Sequence, residues 1–483
     1  MATHIRAEGK DDPAIARMQA TLAAQKKAFL EELPVSLATR RDRLSRAIAL
    51  LVDRKDELVE AMDADFSGRP KLMSLFTDIA SSVKALKFAR KHVRTWMKPE
   101  RRRLEFPLSL LGARGQVEYQ PKGVVGLISP WNFPVNLTFG PLAGILAAGN
   151  RVMIKPSEIT PATSDLMARL IGEYFDRNEI ATVTGGPEIG QAFSALPFDH
   201  LLFTGATSVG RHVMRAAAEN LTPVTLELGG KSPVIVSRSA DLARMAERVI
   251  AGKMMNAGQI CLAPDYILAP RDRLSEVREA LMAAALRLYP TAVGHDDYAA
   301  IVNRRHRDRL LGLLKDARAK GARVTEVTPQ SDDAEGPRMP LHIVEDADET
   351  MRVMQDEIFG PILPLLPYDG IDDAIAFINA HDRPLGLYWF GTDRAEMRQI
   401  LDRTVSGGVT VNDVVWHVAH EDLPFGGIGP SGMGAYHGRE GFLTFSHAKS
   451  VYRQTGFDLM RLAGALPPYG DKLRKTLKLQ IRK

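Results

Sequence analysis

Gly123-Val124-Val125-Gly126-Leu127-Ile128-Ser129-Pro130-Trp131-Asn132-Phe133-Pro134 is the stretch on which the reading of the fold turns. Val124–Ser129 reads as a short apolar strand, and two prolines then hold an asparagine at the strand's carboxyl end. Working outward, the pattern repeats. Strands are expected at Arg151–Lys155, Ala181–Thr184, His200–Phe203 and Val224–Leu228. Helices are expected between them, at Pro141–Ala148, Ala162–Phe175, Ile189–Ala195 and Ser208–Ala218. Short apolar strands alternating with helices mean βαβ units and a parallel sheet. Right-handed crossovers then bring the strand carboxyl ends to one edge, where ligands bind. After Gly229-Gly230 the pattern restarts, with strands Pro233–Val236 and Tyr266–Ala269 and helices Asp241–Met255 and Leu274–Leu288. A second α/β unit is therefore expected, with a boundary near residue 229.

Around these units, Leu44, Ile48, Leu51, Leu58 and Met62 have helical spacing, so residues 36–65 read as an amphipathic helix. Leu104 to Tyr119 is strand-like but less regular, Arg101-Arg102-Arg103 reads as a solvated loop, and residues 325–345 as a polar surface excursion. Leu473, Leu477 and Ile481, spaced four apart among Lys472, Arg474, Lys475, Lys478, Arg482 and Lys483, give a short basic amphipathic helix. It reads either as a solvated end or as a surface able to touch anionic membranes.

The 483 residues suffice for two to three domains, and 45% hydrophobic with 25% charged residues is ordinary for a globular chain. The net charge of +5 is spread along the chain and makes no case for nucleic-acid binding. Residues 1–35 lack the apolar core of a signal peptide, and Pro130, Pro134 and Pro141 interrupt the long uncharged stretch Gly123 to Asn150. With a single cysteine and no targeting segment, a cytoplasmic location is expected.

That cysteine, Cys261, stands in Lys253-Met254-Met255-Asn256-Ala257-Gly258-Gln259-Ile260-Cys261-Leu262-Ala263-Pro264-Asp265-Tyr266. A lone cysteine makes no intrachain disulfide, so it packs, pairs between chains or does chemistry. A glycine turn before it can expose the thiol and aim backbone N–H groups at one point. Asn132 lies on the ligand edge, where a fixed amide can stabilise an oxyanion. Glu227, in Leu226-Glu227-Leu228-Gly229-Gly230, is a carboxylate between leucines at the inter-unit hinge, a setting that raises its pKa and suits a general base. Phe203-Thr204-Gly205-Ala206-Thr207-Ser208-Val209-Gly210 joins a strand to a helix whose start can receive a phosphate. A literal G-x-G-x-x-G at Gly427-Ile428-Gly429-Pro430-Ser431-Gly432 is rejected as a nucleotide site, because no clear strand and helix bracket it. No metal site is expected.

The cysteine motif and its Ala263-Pro264-Asp265-Tyr266 continuation resemble those of aldehyde dehydrogenases, in particular the class 3 branch. The C-terminal motifs are similar to those of bacterial coniferyl aldehyde dehydrogenases, and the resemblance spans roughly residues 20 to 452. Met254 stands where that family usually has Phe, and Ala206 where relatives have Ser. The resemblance implies two α/β domains and a small arm. Residues 1–98 and 122–229 would form the NAD-binding domain and 230–425 the catalytic domain. Residues 99–121 and 426–455 would form the bridging and oligomerisation arm, and 456–483 a tail.

The resemblance also implies roles. Cys261 would be the nucleophile, Asn132 with the Cys261 N–H the oxyanion site, and Glu227 the base that hydrolyses a thioester. Lys155 and Glu158 would hold the adenosine ribose, where Glu158 accepts from both hydroxyls and repels a 2′-phosphate. Trp131, Gly205, Gly210, Glu357 and Phe359 would complete the cofactor site, with NAD preferred and NADP admitted. A homodimer is implied. Trp131, Phe133, Trp416, Met254 and Met255 suit a flat apolar aldehyde, and a medium-chain aliphatic aldehyde is the alternative. Two other readings stay open: a cofactor-free cysteine hydrolase, which lacks a motif-borne histidine, and a catalytically silent binding protein.

Overall fold

The computed structural model describes residues 13–106, 108–291, 294–327 and 336–481. Three sheets organise it. The first has six strands in the spatial order Gly432–Met433, Val224–Leu228, His200–Gly205, Val124–Ile128, Arg151–Lys155 and Ile180–Thr182. All its pairings are parallel except at the Gly432–Met433 edge. The chain starts at the central strand Val124–Ile128, winds outward on one side, then returns to wind outward on the other. The topological switch therefore lies between Val124–Ile128 and His200–Gly205. Ligand crevices open beyond the strand carboxyl ends at such a point, which is where Asn132 and Gly205 are delivered.

The second sheet has seven strands, in the order Arg323–Glu326, His342–Glu345, Ile362–Tyr368, Pro264–Pro270, Ser232–Val236, Gly386–Phe390 and Gly408–Val411. It too is parallel apart from one edge pair. The six-stranded sheet gives way to the seven-stranded one between Leu228 and Ser232, across Gly229-Gly230. The third sheet is antiparallel: Glu100–Arg102, Arg114–Pro121 and Ser446–Arg453.

Several expectations are corrected. The predicted helix over 36–65 is two, Leu37–Asp53 and Lys55–Phe66, although its apolar positions are all buried as the spacing requires. Arg101 and Arg102 lie in an edge strand rather than a loop. Within 325–345, residues 328–335 lie outside the described residues, but His342–Glu345 is a buried strand inside the second sheet. The glycine-rich turn assigned to the arm instead ends in Gly432–Met433, which pairs with the Glu227 strand. The helix predicted from Pro141 begins at Asn136. Its amino end is stabilised from elsewhere: the Asp78 carboxylate accepts from the N–H groups of Val135 (3.2 Å) and Asn136 (3.1 Å). Local propensity could not announce a cap supplied by a distant residue.

The basic tail forms the helix Asp471–Gln480, with Leu479 and Ile481 exposed; Arg482 and Lys483 lie outside the described residues. No helix among the described residues is long and apolar enough to cross a membrane.

Candidate active site

Helix Leu242–Met254 ends in a left-handed turn before Cys261. Asn256 (φ 48°), Ala257 (φ 52°) and Gly258 (φ 74°) are consecutive residues with positive φ. The first two carry a Cβ, so the turn costs on the order of 1–2 kcal/mol for each and must be held from outside. Gln259 holds it: its amide donates to Asn256 O (2.9 Å) and Ala300 O (3.0 Å), and its carbonyl accepts from Val302 N (2.9 Å). A side chain at Gly258 would lie 2.4 Å from Gly360 O, so only glycine lets the Glu357–Pro361 segment close on the turn.

Asn132 meets this turn directly. Its amide donates one N–H to Gln259 O (3.1 Å), which leaves a second N–H for a ligand. The Asn132 backbone carbonyl accepts from the Asn256 side-chain amide (3.1 Å) and from the Arg69 guanidinium (2.8 Å). Arg69 forms a 2.6 Å ion pair with Asp78, neither side chain being exposed. Burial lowers the Arg69 pKa and raises that of Asp78, while the attraction between the two charges opposes both shifts. The pair thus grips both ends of the loop, Asn132 through Arg69 and Asn136 through Asp78. Sequence reasoning missed it. The available signal was an aspartate inside the apolar run Leu75-Phe76-Thr77-Asp78-Ile79, which the structure winds as a π-helical turn of the kind that recurs at functional sites.

Glu227 closes the group from the first sheet. It is 1% exposed, and its carboxylate oxygens have no hydrogen-bond partner among the described residues apart from the facing Cys261 thiol. Burial pushes its pKa up to about 7, while the facing Cys261 thiol pulls it back. Cys261 in turn is pushed well above the usual thiol range, first by burial and then by the charges of Glu227 and Glu357. The resting pair is therefore a protonated thiol beside a carboxyl group poised near neutrality.

Glu357 belongs to the same cluster. A side chain at Gly229 would sit 2.0 Å from its Oε2, so Gly229 makes room for it, and Oε1 has no partner among the described residues. Burial, then the charge of Asp265, pushes Glu357 up to about 8. The segment is tied down by Lys231, which pairs with Asp265 and donates to Val353 O (2.8 Å) and Asp356 O (3.1 Å). Asp265 also accepts from Ile358 N (2.9 Å). Lys231 and Asp265 were likewise not anticipated as supports, and the buried Lys253 amine has no hydrogen-bond partner among the described residues. Trp131 packs edge-on against Phe359 (5.4 Å between ring centres) and His306 (4.9 Å).

Lys155, Glu158, Gly205 and Gly210 form a second group on the same sheet edge. Buried Lys155 reaches the exposed Glu158 carboxylate (3.0 Å) and Pro156 O (2.8 Å). Gly205-Ala206 leads into helix Thr207–Ala218, whose start has no side-chain cap, so its first N–H groups are available to an anion. The buried Thr204 hydroxyl there also lacks a partner among the described residues. An uncapped helix start, an exposed carboxylate and the orphaned Glu357 oxygen fit the phosphates and ribose hydroxyls of a dinucleotide. No cluster able to hold a metal ion occurs among the described residues.

A cavity of about 480 Å³ opens onto Cys261, walled mainly by Phe133, Leu137, Met255, Val414, Phe425 and Tyr436, with Trp416 at half exposure. Of the residues expected around the substrate, Phe133, Met255 and Trp416 line it. Trp131 and Met254 do not: Trp131 packs edge-on beside Phe359, and Met254 is buried in the core of the second sheet. Charged groups that the motifs had not announced, among them Lys84, Arg248 and Glu421, reach the cavity wall. A second hollow of about 300 Å³ shares Phe76 and Met255 with it but does not touch Cys261.

The sequence pattern described as "Aldehyde dehydrogenase family" matches residues 10–451. The coniferyl aldehyde dehydrogenase of a Pseudomonas species is 53% identical over 470 residues, covering 96% of each chain. Among solved structures, a substrate-bound Staphylococcus aureus AldH is similar at TM-score 0.89 and 36% identity, covering 96% of this chain and 99% of that one. An aldehyde dehydrogenase of Mycobacterium tuberculosis complexed with NAD+ is similar at TM-score 0.83 and 30% identity, covering 92% and 91%.

Proposed function

The chain belongs to the aldehyde dehydrogenase family, and we propose that it oxidises cinnamaldehyde-type aromatic aldehydes, coniferyl aldehyde among them, to their acids with NAD. The observation that carries this reading is the apolar, aromatic-walled cavity ending at Cys261, beside a buried carboxylate and a fixed amide. In the proposed division, the six-stranded unit holds the dinucleotide and the seven-stranded unit carries the nucleophile. A homodimer is part of the reading, since the antiparallel sheet presents Glu100–Arg102 and Ser446–Arg453 as free edges. So is a cytoplasmic location, which keeps a catalytic thiol reduced.

The Cys261 thiol releases its proton to water as its sulfur attacks the aldehyde carbon, and the new S–C bond pushes an electron pair onto oxygen. The free Asn132 N–H and the Cys261 backbone N–H receive that oxyanion. When bound, NAD supplies the two-electron acceptor that turns the thiohemiacetal into a thioester. Glu227 then takes a proton from water as the water attacks the thioester, and sulfur departs as thiolate with the acid released. Lys155 and Glu158 would hold the adenosine ribose, the start of helix Thr207–Ala218 the pyrophosphate, and Glu357 with Phe359 and Trp131 the nicotinamide end.

Asn132→Ala is expected to lower turnover by about 10²–10³, as removal of one oxyanion donor does. If only cofactor affinity changed, the assignment would be wrong. Glu158→Gln is expected to improve the use of NADP relative to NAD, because it removes a negative charge from the place of a 2′-phosphate. A wild type faster with NADP contradicts that. An aldehyde panel tests the substrate class: kcat/KM for coniferyl or cinnamic aldehyde is expected to exceed that for acetaldehyde at least about tenfold. A panel led by acetaldehyde, betaine aldehyde or a semialdehyde acid would refute the aromatic reading, and one led by medium-chain aldehydes would favour an aliphatic role.

A further inference from the structure

The cavity at Cys261 contains one charged group for which neither the fold nor the proposed chemistry has a use. Glu421 lines the same cavity, in the loop after Trp416. Its carboxylate has no hydrogen bond or ion pair among the described residues. The other charges around it are engaged. Lys84 donates its amine to Ala419 O, and Arg248 stands 3.9 Å from Asp413, whose carboxylate also accepts from Val414 N (2.9 Å). His437, also on the wall, has a buried Nδ1 without a partner among the described residues, and burial keeps its ring neutral at ordinary pH by lowering its pKa to about 4. Tyr436 lies within electrostatic reach of Cys261, Glu227 and Glu421 together, so the free carboxylate and the reacting centre share one small space.

Glu421 is half-buried, so water reaches it in the open cavity; a ligand that fills the apolar space removes that water, which is costly unless the ligand supplies a partner. Burial raises the Glu421 pKa to about 7, with Lys84 pulling the other way, so the group is ionised above neutrality. Ionised, it only accepts hydrogen bonds. Its ligand must therefore present a donor at one end and an aldehyde at the other, joined by a body flat enough for walls of Phe133, Phe425 and Tyr436. The Lys84 ammonium disfavours a cationic donor, which leaves a neutral hydroxyl.

We propose that Glu421 selects para-hydroxylated aromatic aldehydes, its carboxylate accepting a hydrogen bond from the phenolic hydroxyl of a 4-hydroxycinnamaldehyde whose carbonyl lies at Cys261. The proposal rests on the aromatic-aldehyde reading and adds the ring substituent to it. It is tested with 4-hydroxycinnamaldehyde and cinnamaldehyde, which differ by that hydroxyl alone. For wild type, kcat/KM is expected to favour the hydroxylated substrate by about tenfold or more, the range of one hydrogen bond to a charged group. Glu421→Leu is expected to bring the ratio to within about threefold of unity, the hydroxylated substrate losing more than the other. Glu421→Gln, which keeps a carbonyl acceptor, should fall between. The proposal is overturned if wild type does not distinguish the two substrates, or if Glu421→Leu with unaltered thermal unfolding keeps the wild-type ratio. If wild type turns over neither substrate but does oxidise aliphatic aldehydes, the aromatic reading itself fails and takes this proposal with it. If cinnamaldehyde is a good substrate and the ratio ignores Glu421, only the present proposal fails.

Discussion

Cys261→Ala is expected to abolish aldehyde oxidation, with turnover down by at least about 10⁴-fold, because no other group can form the covalent intermediate. The chain contains one cysteine, so substitution leaves no neighbouring thiol to substitute for it. Binding should survive, because the turn is held by Gln259, Asn256 and the Glu357–Pro361 segment rather than by the sulfur. The variant should therefore still quench or shift with NAD while producing no reduced cofactor. The same logic predicts that a single alkylation per chain inactivates the wild type. Burial and two nearby carboxylates keep the thiol protonated in the structure, so alkylation should be slow and should respond to bound NAD. Turnover by Cys261→Ala within tenfold of wild type would remove the covalent mechanism.

Glu227→Gln carries the second large effect. Steady-state turnover should fall by about 10³ or more, while a burst of reduced cofactor equal to one per active chain persists, since acylation does not need the base. Loss of the burst in proportion to turnover would place Glu227 in an earlier step. The wild-type rate should climb with pH around about 7, where the Glu227 carboxyl ionises, and that limb should vanish in the variant. The apparent value belongs to the coupled Glu227–Cys261 pair.

Stability supplies an independent reading of the same group. The folded-state pKa of Glu227 lies above the ordinary carboxylate value, so the folded chain holds this proton more tightly than the unfolded one. Its contribution is intact below about pH 4.5 and is lost as pH rises through about 7, a cost on the order of 3 kcal/mol at pH 8. Glu227→Gln does not ionise. The difference in Tm should therefore move in favour of the variant between pH 5 and pH 8; a difference that does not change with pH contradicts the buried carboxylate.

What the sequence made legible follows from where the information lies. The parallel sheets were readable because each strand is a short apolar run between helical segments, as at Arg151–Lys155 and Val224–Leu228, where expected and observed bounds coincide. Cys261, Asn132, Glu227 and Glu357 could be singled out because each stands in a local motif at a strand end or turn, and the structure brings all four to one place. What stayed hidden is carried by pairs distant in sequence. Arg69–Asp78 grips a loop more than fifty residues away, and nothing in the segment around either residue names that partner. Lys231–Asp265 joins the beginnings of two adjacent strands, and Glu421 matters only because the chain folds its loop onto the cavity of Cys261. Trp131 and Met254 were misplaced for the same reason. An aromatic or thioether side chain next to a motif says nothing about which side of the backbone it takes.

In the proposed reaction a covalent acyl group forms on Cys261 and Glu227 releases it. Glu227→Gln mixed with NAD and coniferyl aldehyde, quenched in acid within seconds and measured by intact and peptide mass spectrometry, tests it most directly. One acyl adduct per chain is expected, on the peptide containing Cys261, appearing with the burst of reduced cofactor and absent without NAD. A full burst with no adduct, or an adduct on any other residue, would contradict it.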